Sequence, residues 1–215
     1  MHIELKRISD INENLFKDLT FLETIWICSN KIEYLNALAF NNLPNLKHLS
    51  LSNNQLTHID MLEFKSKGLT HLFLANNQIS RIDKDAFKNF ENLVQLSLFK
   101  NLLTSLESNL FRSLTNLKEI NLSNNNLDKI DSNIFRTTKK LVKINLSLNK
   151  LVELDCDLFK ELIYLESIYL ADNKLKTISI ELFHGLSKIK YISLFNNDFA
   201  IDFDRNHFKD LTINW

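Results

Sequence analysis

One feature limits what this chain can fold into more than any other: a motif that recurs eight times at nearly constant spacing. Each copy starts with an aliphatic residue, reaches an asparagine eight residues later, and begins 24 residues after the previous copy, except for one step of 23. The asparagines are Asn30, Asn54, Asn77, Asn101, Asn125, Asn149, Asn173 and Asn197. Self-similarity at this period indicates a solenoid, in which each coil packs on its neighbours.

Within each copy, aliphatic residues alternate with polar ones, as Ile120 and Leu122 do with the residues around them. This period of two predicts a short β-strand with one face buried. Because the chain re-enters each coil in the same direction, the strands form a parallel sheet. Each copy also has one phenylalanine, and we expect a buried spine of Phe16, Phe40, Phe64, Phe87, Phe111, Phe135, Phe159 and Phe183.

The recurrent asparagine has a structural explanation. A strand that turns sharply leaves backbone N–H and C=O groups inside the coil, and these groups need hydrogen-bond partners. An amide side chain carries donors and an acceptor, so a single asparagine can satisfy both kinds of group and bridge to the next coil. We therefore expect the eight asparagines to be structural rather than functional.

The full pattern, L-x-x-L-x-L-x-x-N-x-L-x-x-L-x-x-x-x-F-x-x-L, resembles the 24-residue, animal extracellular type of leucine-rich repeat. Toll-type receptors, neuronal guidance proteins and secreted insect immune proteins carry such repeats. The resemblance implies an α/β fold: a curved solenoid with a parallel sheet on its concave face and irregular or short 3-10 segments on its convex face. It implies one leucine-rich repeat domain over 1–215, with 1–21 a partial first coil, 22–188 seven full repeats and 189–215 a degenerate last repeat.

Some coils depart from this pattern. Lys67 and Thr138 replace the leucine that follows the phenylalanine, and Lys67 adjoins the short period, so we expect a local bend or an exposed patch there. In the last coil Asp202 replaces an aliphatic residue and His207 replaces the phenylalanine. Solenoids end in atypical repeats because the final coil has no neighbour to cover it. These substitutions therefore indicate the end of the array.

Composition excludes several classes of function. The 26 basic residues balance the 26 acidic ones, so no overall field attracts nucleic acid or an anionic membrane. Two glycines and one proline leave no glycine-rich phosphate loop or flexible linker. No apolar run approaches the length of a membrane span. We expect no nucleic-acid partner, no membrane insertion by this segment and no cofactor.

The two cysteines are relevant to whether the protein is extracellular or intracellular. Cys28 and Cys156 lie five coils apart, about 24 Å at one strand spacing per coil, which is beyond the reach of a disulfide. Extracellular relatives implied by the resemblance usually close their arrays with cysteine-rich caps, and these are absent. The resemblance favours an extracellular or cell-surface protein whose caps lie elsewhere. An intracellular or naturally uncapped protein is the alternative.

Two patterns suggest metal sites and are better explained without metal. His48 and His71 should be cross-strand neighbours, about 4.8 Å apart, but no third ligand shares their register. A column of acids follows the second core aliphatic in five consecutive coils and would suit calcium: Asp60, Asp83, Glu107, Asp131 and Asp155. Asn36 and Ser179 hold the same position, which favours capping of the following turn. We expect no metal and no catalytic residue.

The outward positions of the strands form the remaining candidate surface. Their aromatic and histidine side chains gather toward the two ends of the sheet: Trp26, His48, His71, Phe73, Phe99, Tyr169, Tyr191 and Phe195. Exposed aromatic residues on a rigid sheet are typical of interface hot spots, although neighbouring rings can also simply stack on one another. Asn121 and Asn145 lie between the groups in glycosylation sequons.

These observations favour a non-catalytic protein-recognition module in a secreted or cell-surface protein. By the resemblance it is a glycoprotein of the receptor or innate-immunity kind that binds a protein partner through the concave face or a flank. The alternative is a scaffold that forms a homo- or heterodimer through the array. An enzyme or metal protein based on His48 and His71 is the third reading.

Overall fold

The computed structural model describes residues 2–4, 7–61, 64–65, 67–200 and 212–215, with backbone alone for 2–4. Asp202 and His207, which carry the prediction of a degenerate last coil, lie outside the described residues. The outward side of the main sheet is called the sheet face.

The described residues form a ten-stranded parallel sheet in which each strand pairs with that of the next coil. A second parallel sheet of two short strands, His58–Ile59 and Arg81–Ile82, lies elsewhere in the coils. In chain order the strands are β1 (His2–Glu4), β2 (Thr24–Trp26), β3 (His48–Ser50), β4 (His58–Ile59), β5 (His71–Phe73), β6 (Arg81–Ile82), β7 (Gln95–Ser97), β8 (Glu119–Asn121), β9 (Lys143–Asn145), β10 (Ser167–Tyr169), β11 (Tyr191–Ser193) and β12 (Ile213–Asn214). The predicted parallel sheet is confirmed.

The α/β description is not confirmed. In the described part of the chain the helical segments are two 3-10 helices of four residues each, Ala37–Phe40 and Ile180–Phe183. Other coils cross the same region in successive turns, as where the Leu110 N–H donates to the Glu107 carbonyl at 3.0 Å and the Arg112 N–H donates to the Asn109 carbonyl at 3.1 Å. Turns suffice because each coil must reach its next strand within a few residues. The expected series of convex 3-10 segments is therefore not confirmed.

The predicted phenylalanine spine is confirmed, since all eight side chains are buried. Four neighbouring pairs of rings lie in contact from coil to coil, with centroids from 5.5 Å apart for Phe16 and Phe40 to 6.2 Å apart for Phe111 and Phe135. Burying a large aromatic side chain stabilises the folded state by about 1.5–3 kcal/mol. One ring per coil therefore supplies much of the adhesion between neighbouring coils.

The spine changes at the short coil. Phe90 lies between the rings of two spine residues, 5.0 Å from Phe64 in an edge-on contact and 6.2 Å from Phe87. It occupies the leucine position of its own coil, next to the coil in which Lys67 holds that position and is exposed. Phe90 thus fills core space beside a coil that contributes a lysine. Thr138 behaves differently, since it is buried and its hydroxyl donates to the Phe135 carbonyl at 2.9 Å.

The asparagines form a ladder of buried hydrogen bonds, as predicted. The Asn125 side-chain oxygen accepts from the Leu103 N–H at 3.1 Å, and its nitrogen donates to the carbonyls of Leu98 and Leu122 at 3.0 Å each. Leu98 and Leu103 belong to the preceding coil, whereas Leu122 belongs to the same coil. Asn54, Asn77, Asn101, Asn149, Asn173 and Asn197 repeat the arrangement. The bridge therefore runs to the preceding coil, not to the next one as expected.

A second column escaped the sequence analysis. The residue before each ladder asparagine has a left-handed backbone, with φ between 53° and 60°: Ser29, Asn53, Asn76, Lys100, Asn124, Leu148, Asp172 and Asn196. Asparagine and aspartate tolerate this conformation better than other residues with a side chain. Leu148, whose side chain is 48% exposed, is the branched exception and stores backbone strain.

We predict that Asn125→Ala lowers the free energy of unfolding by several kcal/mol. The change leaves the Leu103 N–H and the carbonyls of Leu98 and Leu122 without their partner, at about 1–3 kcal/mol for each buried group. Urea denaturation followed by circular dichroism measures the effect. Asn126→Ala, at the adjacent position outside the ladder, is the control and should unfold like the parent. Coincident curves for all three proteins would disprove the role of the ladder.

We also predict that Leu148→Asn raises the free energy of unfolding by about 1 kcal/mol, because asparagine relieves the left-handed strain. Little burial is lost at a side chain this exposed. Leu102→Asn is a matched control, since Leu102 has the same 48% exposure without a positive φ. A gain of equal size in both variants would show that surface polarity, not backbone strain, is responsible.

Candidate functional site

The amino-terminal group on the sheet face is built on strands β2, β3 and β5. Strand register places His48 opposite His71, with ring centroids 4.5 Å apart, and the His71 ring lies 6.2 Å from that of Phe73. Trp26 and Phe73 lie on either side of Ser50, which is buried. The Trp26 side chain is 45% exposed, so a large aromatic surface stands beside a small residue. We call these four ring-bearing residues the amino-terminal cluster.

The carboxyl-terminal cluster consists of Lys143, Tyr169 and Tyr191. The tyrosine rings lie 5.3 Å apart, and the Lys143 ammonium lies 5.2 Å from the centroid of the Tyr169 ring. This cation–π contact fixes the lysine over an aromatic face. Phe99 is half-buried and Phe195 is exposed, and in the described part of the chain neither ring joins a cluster. Six of the eight predicted surface residues therefore fall into the two clusters.

Between the clusters the sheet face is polar and shallow. The Gln95 amide donates to the Glu119 carboxylate at 3.3 Å beside a depression of about 160 Å³. The Asn121 oxygen accepts from the Ser123 N–H at 3.0 Å, and Asn145 does the same for Ser147. Both sequon asparagines therefore form a local hydrogen bond with the backbone at the end of their own strand. Their glycosylation stays a prediction.

The histidine pair has an unusual electrostatic setting. Each Nδ1 lies near a threonine hydroxyl, at 3.2 Å from Thr24 for His48 and at 2.8 Å from Thr70 for His71. Burial lowers the pKa of His71, and the neighbouring His48 lowers it further, while Glu119 opposes both effects. Among the described residues, no group of three or more histidine, cysteine, aspartate or glutamate side chains is placed to hold a metal. The two rings lie on the sheet face, two positions before the register that carries Trp26 and Phe73 on strands β2 and β5.

The positions of the acid column differ in whether the side chain caps the following turn. Asn36, Asp131, Asp155 and Ser179 each accept a hydrogen bond from the N–H two residues on, which confirms capping at these positions. For Asp60 the residues to be capped, 62 and 63, lie outside the described residues.

Two members of the column make no such bond in the part of the chain that the structure describes, so the capping prediction is wrong for them. Glu107 has a longer side chain than the residues that cap well. Asp83 instead contacts His58 at 3.1 Å and Arg81 at 2.8 Å, where β4 pairs with β6. Burial raises the pKa of Asp83, but the nearby His58 and Arg81 more than offset this and lower it overall.

Both cysteines are free thiols, Cys28 half-buried on the sheet face and Cys156 exposed. The Cys28 sulfur lies 3.0 Å from the Ser50 hydroxyl. The helices in the described ranges are too short to cross a bilayer.

Family models match along the chain. One, described as the BspA type leucine rich repeat region, matches residues 80–214 in six copies. A second, described as leucine rich repeat, matches residues 1–56, 20–66 and 44–103. The comparison with curated proteins gave no match.

Two solved bacterial structures are similar in fold. The functional domain of InlJ from Listeria monocytogenes, described as including a cysteine ladder, has 23% identity and a TM-score of 0.72 over 98% of this chain and 43% of that one. A leucine-rich repeat protein of Leptospira interrogans has 23% identity and a TM-score of 0.73 over 99% of this chain and 60% of that one. The chain thus spans less than two thirds of either. The expected animal extracellular type is not supported, because the similar structures are bacterial.

We predict that an NMR titration gives His71 a midpoint below the usual value of 6.5. The unfolded chain then binds a proton more readily than the folded one, so the stability linked to His71 is complete above pH 6.5 and falls as pH drops toward the folded pKa. His48→Gln removes a neighbouring positive charge and should raise the midpoint, whereas Glu119→Gln should lower it. A midpoint unmoved by either change would disprove the coupling.

Proposed function

Because the chain belongs to the leucine-rich repeat family, with the BspA type over residues 80–214, we propose that it is a non-catalytic protein-recognition module. Its binding surface in this proposal is the sheet face. Leucine-rich repeat domains commonly bind proteins, which supports the proposal at the level of the family.

The observation that carries the proposal is the pair of ring clusters on one rigid sheet. Phe73 on β5 and Tyr169 on β10 are separated by four strand spacings, or about 19 Å. Aromatic side chains supply large contact area and lose little rotamer freedom on binding. A partner that reaches both clusters gains two anchoring points on a surface that does not need to reorganise.

The polar middle supports recognition rather than catalysis. The amides of Asn121 and Asn145 are hydrogen-bonded within their own strand ends, and Gln95 is hydrogen-bonded to Glu119. These amides already have hydrogen-bond partners within the array, and they offer no nucleophile paired with a base. We expect the middle to exclude water or to make weak polar contacts while the clusters provide affinity.

The compartment is a further part of the proposal. We propose that the array acts outside the cell or on its surface. An immune or receptor role is not carried over, because the similar structures are bacterial. Protease treatment of intact source cells, followed by immunoblotting, tests the location. Protection of the array in intact cells and digestion after lysis would contradict it.

A scaffold function is the second candidate, favoured by two exposed rings away from the sheet face. Phe21 is 77% and Tyr34 is 75% exposed, and large exposed apolar side chains can mark an oligomer contact. Light scattering distinguishes the candidates. A stable dimer that dissociates in Phe21→Ser or Tyr34→Ser would favour the scaffold, whereas a monomer at all concentrations would remove it.

We predict that truncating one of the clusters weakens partner binding by about tenfold or more. The partner is first isolated by affinity capture from the source organism, and its affinity is then measured by calorimetry for Trp26→Ala, Phe73→Ala, Tyr169→Ala and Tyr191→Ala. Unchanged melting curves show that each variant remains folded. The control Ser97→Ala, on the polar middle, should bind like the parent. Normal binding by all four aromatic variants would refute the sheet-face site.

A further inference from the structure

A groove of about 440 Å³ lies on the flank of the array, beside the residues that lead into strands β5 to β9. Its lining combines the amides of Asn92 and Asn116, the Val94 side chain and two lysines, Lys118 and Lys140. The groove therefore offers hydrogen-bonding groups, some apolar surface and positive charge. It lies outside the two ring clusters of the sheet face.

The short coil contributes a glycine to this groove. That coil ends at Gly68, which lines the groove, where other coils carry larger side chains such as Asn45 and Asn92. A side chain at Gly68 would begin 3.3 Å from the Leu46 carbonyl oxygen, which is tighter than ordinary contact. Gly68 therefore lines the groove with backbone alone.

The two amides are held in place by the backbone. The Asn92 nitrogen donates to the Lys67 carbonyl at 3.1 Å, and the Asn116 nitrogen donates to the Glu91 carbonyl at 2.9 Å. The Asn116 oxygen in turn accepts from the Lys140 ammonium at 2.7 Å. This bond orients Lys140 toward the groove lining without neutralising its charge.

Lys118 differs from the other lysines of its row, the position directly after the first aliphatic residue of each coil. Lys47 pairs with Glu23 of the preceding coil at 3.4 Å, and Lys190 pairs in the same way with Glu166 at 2.8 Å. The row neighbours of Lys118 are Val94 and Val142. In the described ranges no carboxylate forms an ion pair with Lys118 or Lys140.

We propose that this groove binds the carboxylates of an acidic peptide segment that belongs to a protein partner. Two uncompensated ammonium groups attract anionic side chains, and the fixed amides and Val94 accommodate a peptide between them. Lysine is a point charge that a single carboxylate oxygen satisfies, and the lining has no arginine to form the two-pronged contact that favours phosphate.

The groove adjoins the sheet face, since Lys118 immediately precedes strand β8. The Lys143 N–H donates to the Lys118 carbonyl at 3.0 Å, and the Lys143 side chain lies over Tyr169 in the carboxyl-terminal cluster. A chain that leaves the sheet face near this cluster can therefore enter the groove directly. The inference rests on the proposed function in that the segment is part of a protein.

The test uses a fluorescein-labelled oligoglutamate peptide and the whole array, with binding followed by fluorescence anisotropy at low salt. The double variant Lys118→Gln/Lys140→Gln should weaken binding by about tenfold. Lys47→Gln/Lys190→Gln removes the same charge from paired lysines of the same flank and should change the affinity by less than about twofold. Added salt should weaken binding by the parent array, because exposed charges are screened.

Three outcomes would overturn the proposal: no saturable peptide binding, equal loss in both double variants, or binding of heparin or hyaluronate in place of the peptide. The last would assign the groove to an anionic polysaccharide. Trp26→Ala should bind the peptide normally, since Trp26 lies in the amino-terminal cluster. Failure of peptide binding is therefore separable from failure of the sheet-face site, which the aromatic variants and the captured partner test.

Discussion

The buried asparagine amide is the interaction on which the rest of the structure depends. From Asn54 to Asn197 it joins a carbonyl of its own strand end to an N–H and a carbonyl of the preceding coil, as Asn125 does. These backbone groups would otherwise be buried without partners, at a cost that hydrophobic packing alone would have to offset. The strand register, the stacked rings and the surfaces on either side all follow from coils held in this alignment.

Much of the fold could be predicted because one period dictates it. The spacing of Asn125 from Ile120 and Leu122 fixes which residues are buried, and repetition fixes the direction of the strands. Features that do not require a particular residue type could not be predicted from the sequence. The left-handed column includes Ser29, Lys100 and Leu148, so composition did not reveal it. Nor could the sequence show that the amide bridge runs to the preceding coil, since either direction satisfies the same spacing.

The candidate site was partly predictable for the same reason. Strand register paired His48 with His71, whose positions are equivalent. It placed Tyr191 opposite Ser167, diagonal to Tyr169, and the two tyrosine rings still lie in contact. The partner of a polar side chain was less predictable when several partners were within reach. Asp83 contacts His58 and Arg81 rather than capping its turn. The flank groove also went unnoticed. The sequence does show that Lys118 has valines, not acids, at the same position of the two neighbouring coils. This difference gains meaning only from the structure, in which Lys47 and Lys190 of the same row form ion pairs with the preceding coil.

The edge-on contact of Phe90 with Phe64 has a consequence for how the array unfolds. On one side Phe16, Phe40 and Phe64 stack in sequence, and on the other Phe87, Phe111 and Phe135 do so, with Phe90 joining the two runs. The cooperativity of a repeat protein is transmitted from neighbour to neighbour, so one unlike junction divides it. We therefore expect the contact of Phe90 with Phe64 to be the place where the array divides if it unfolds in parts.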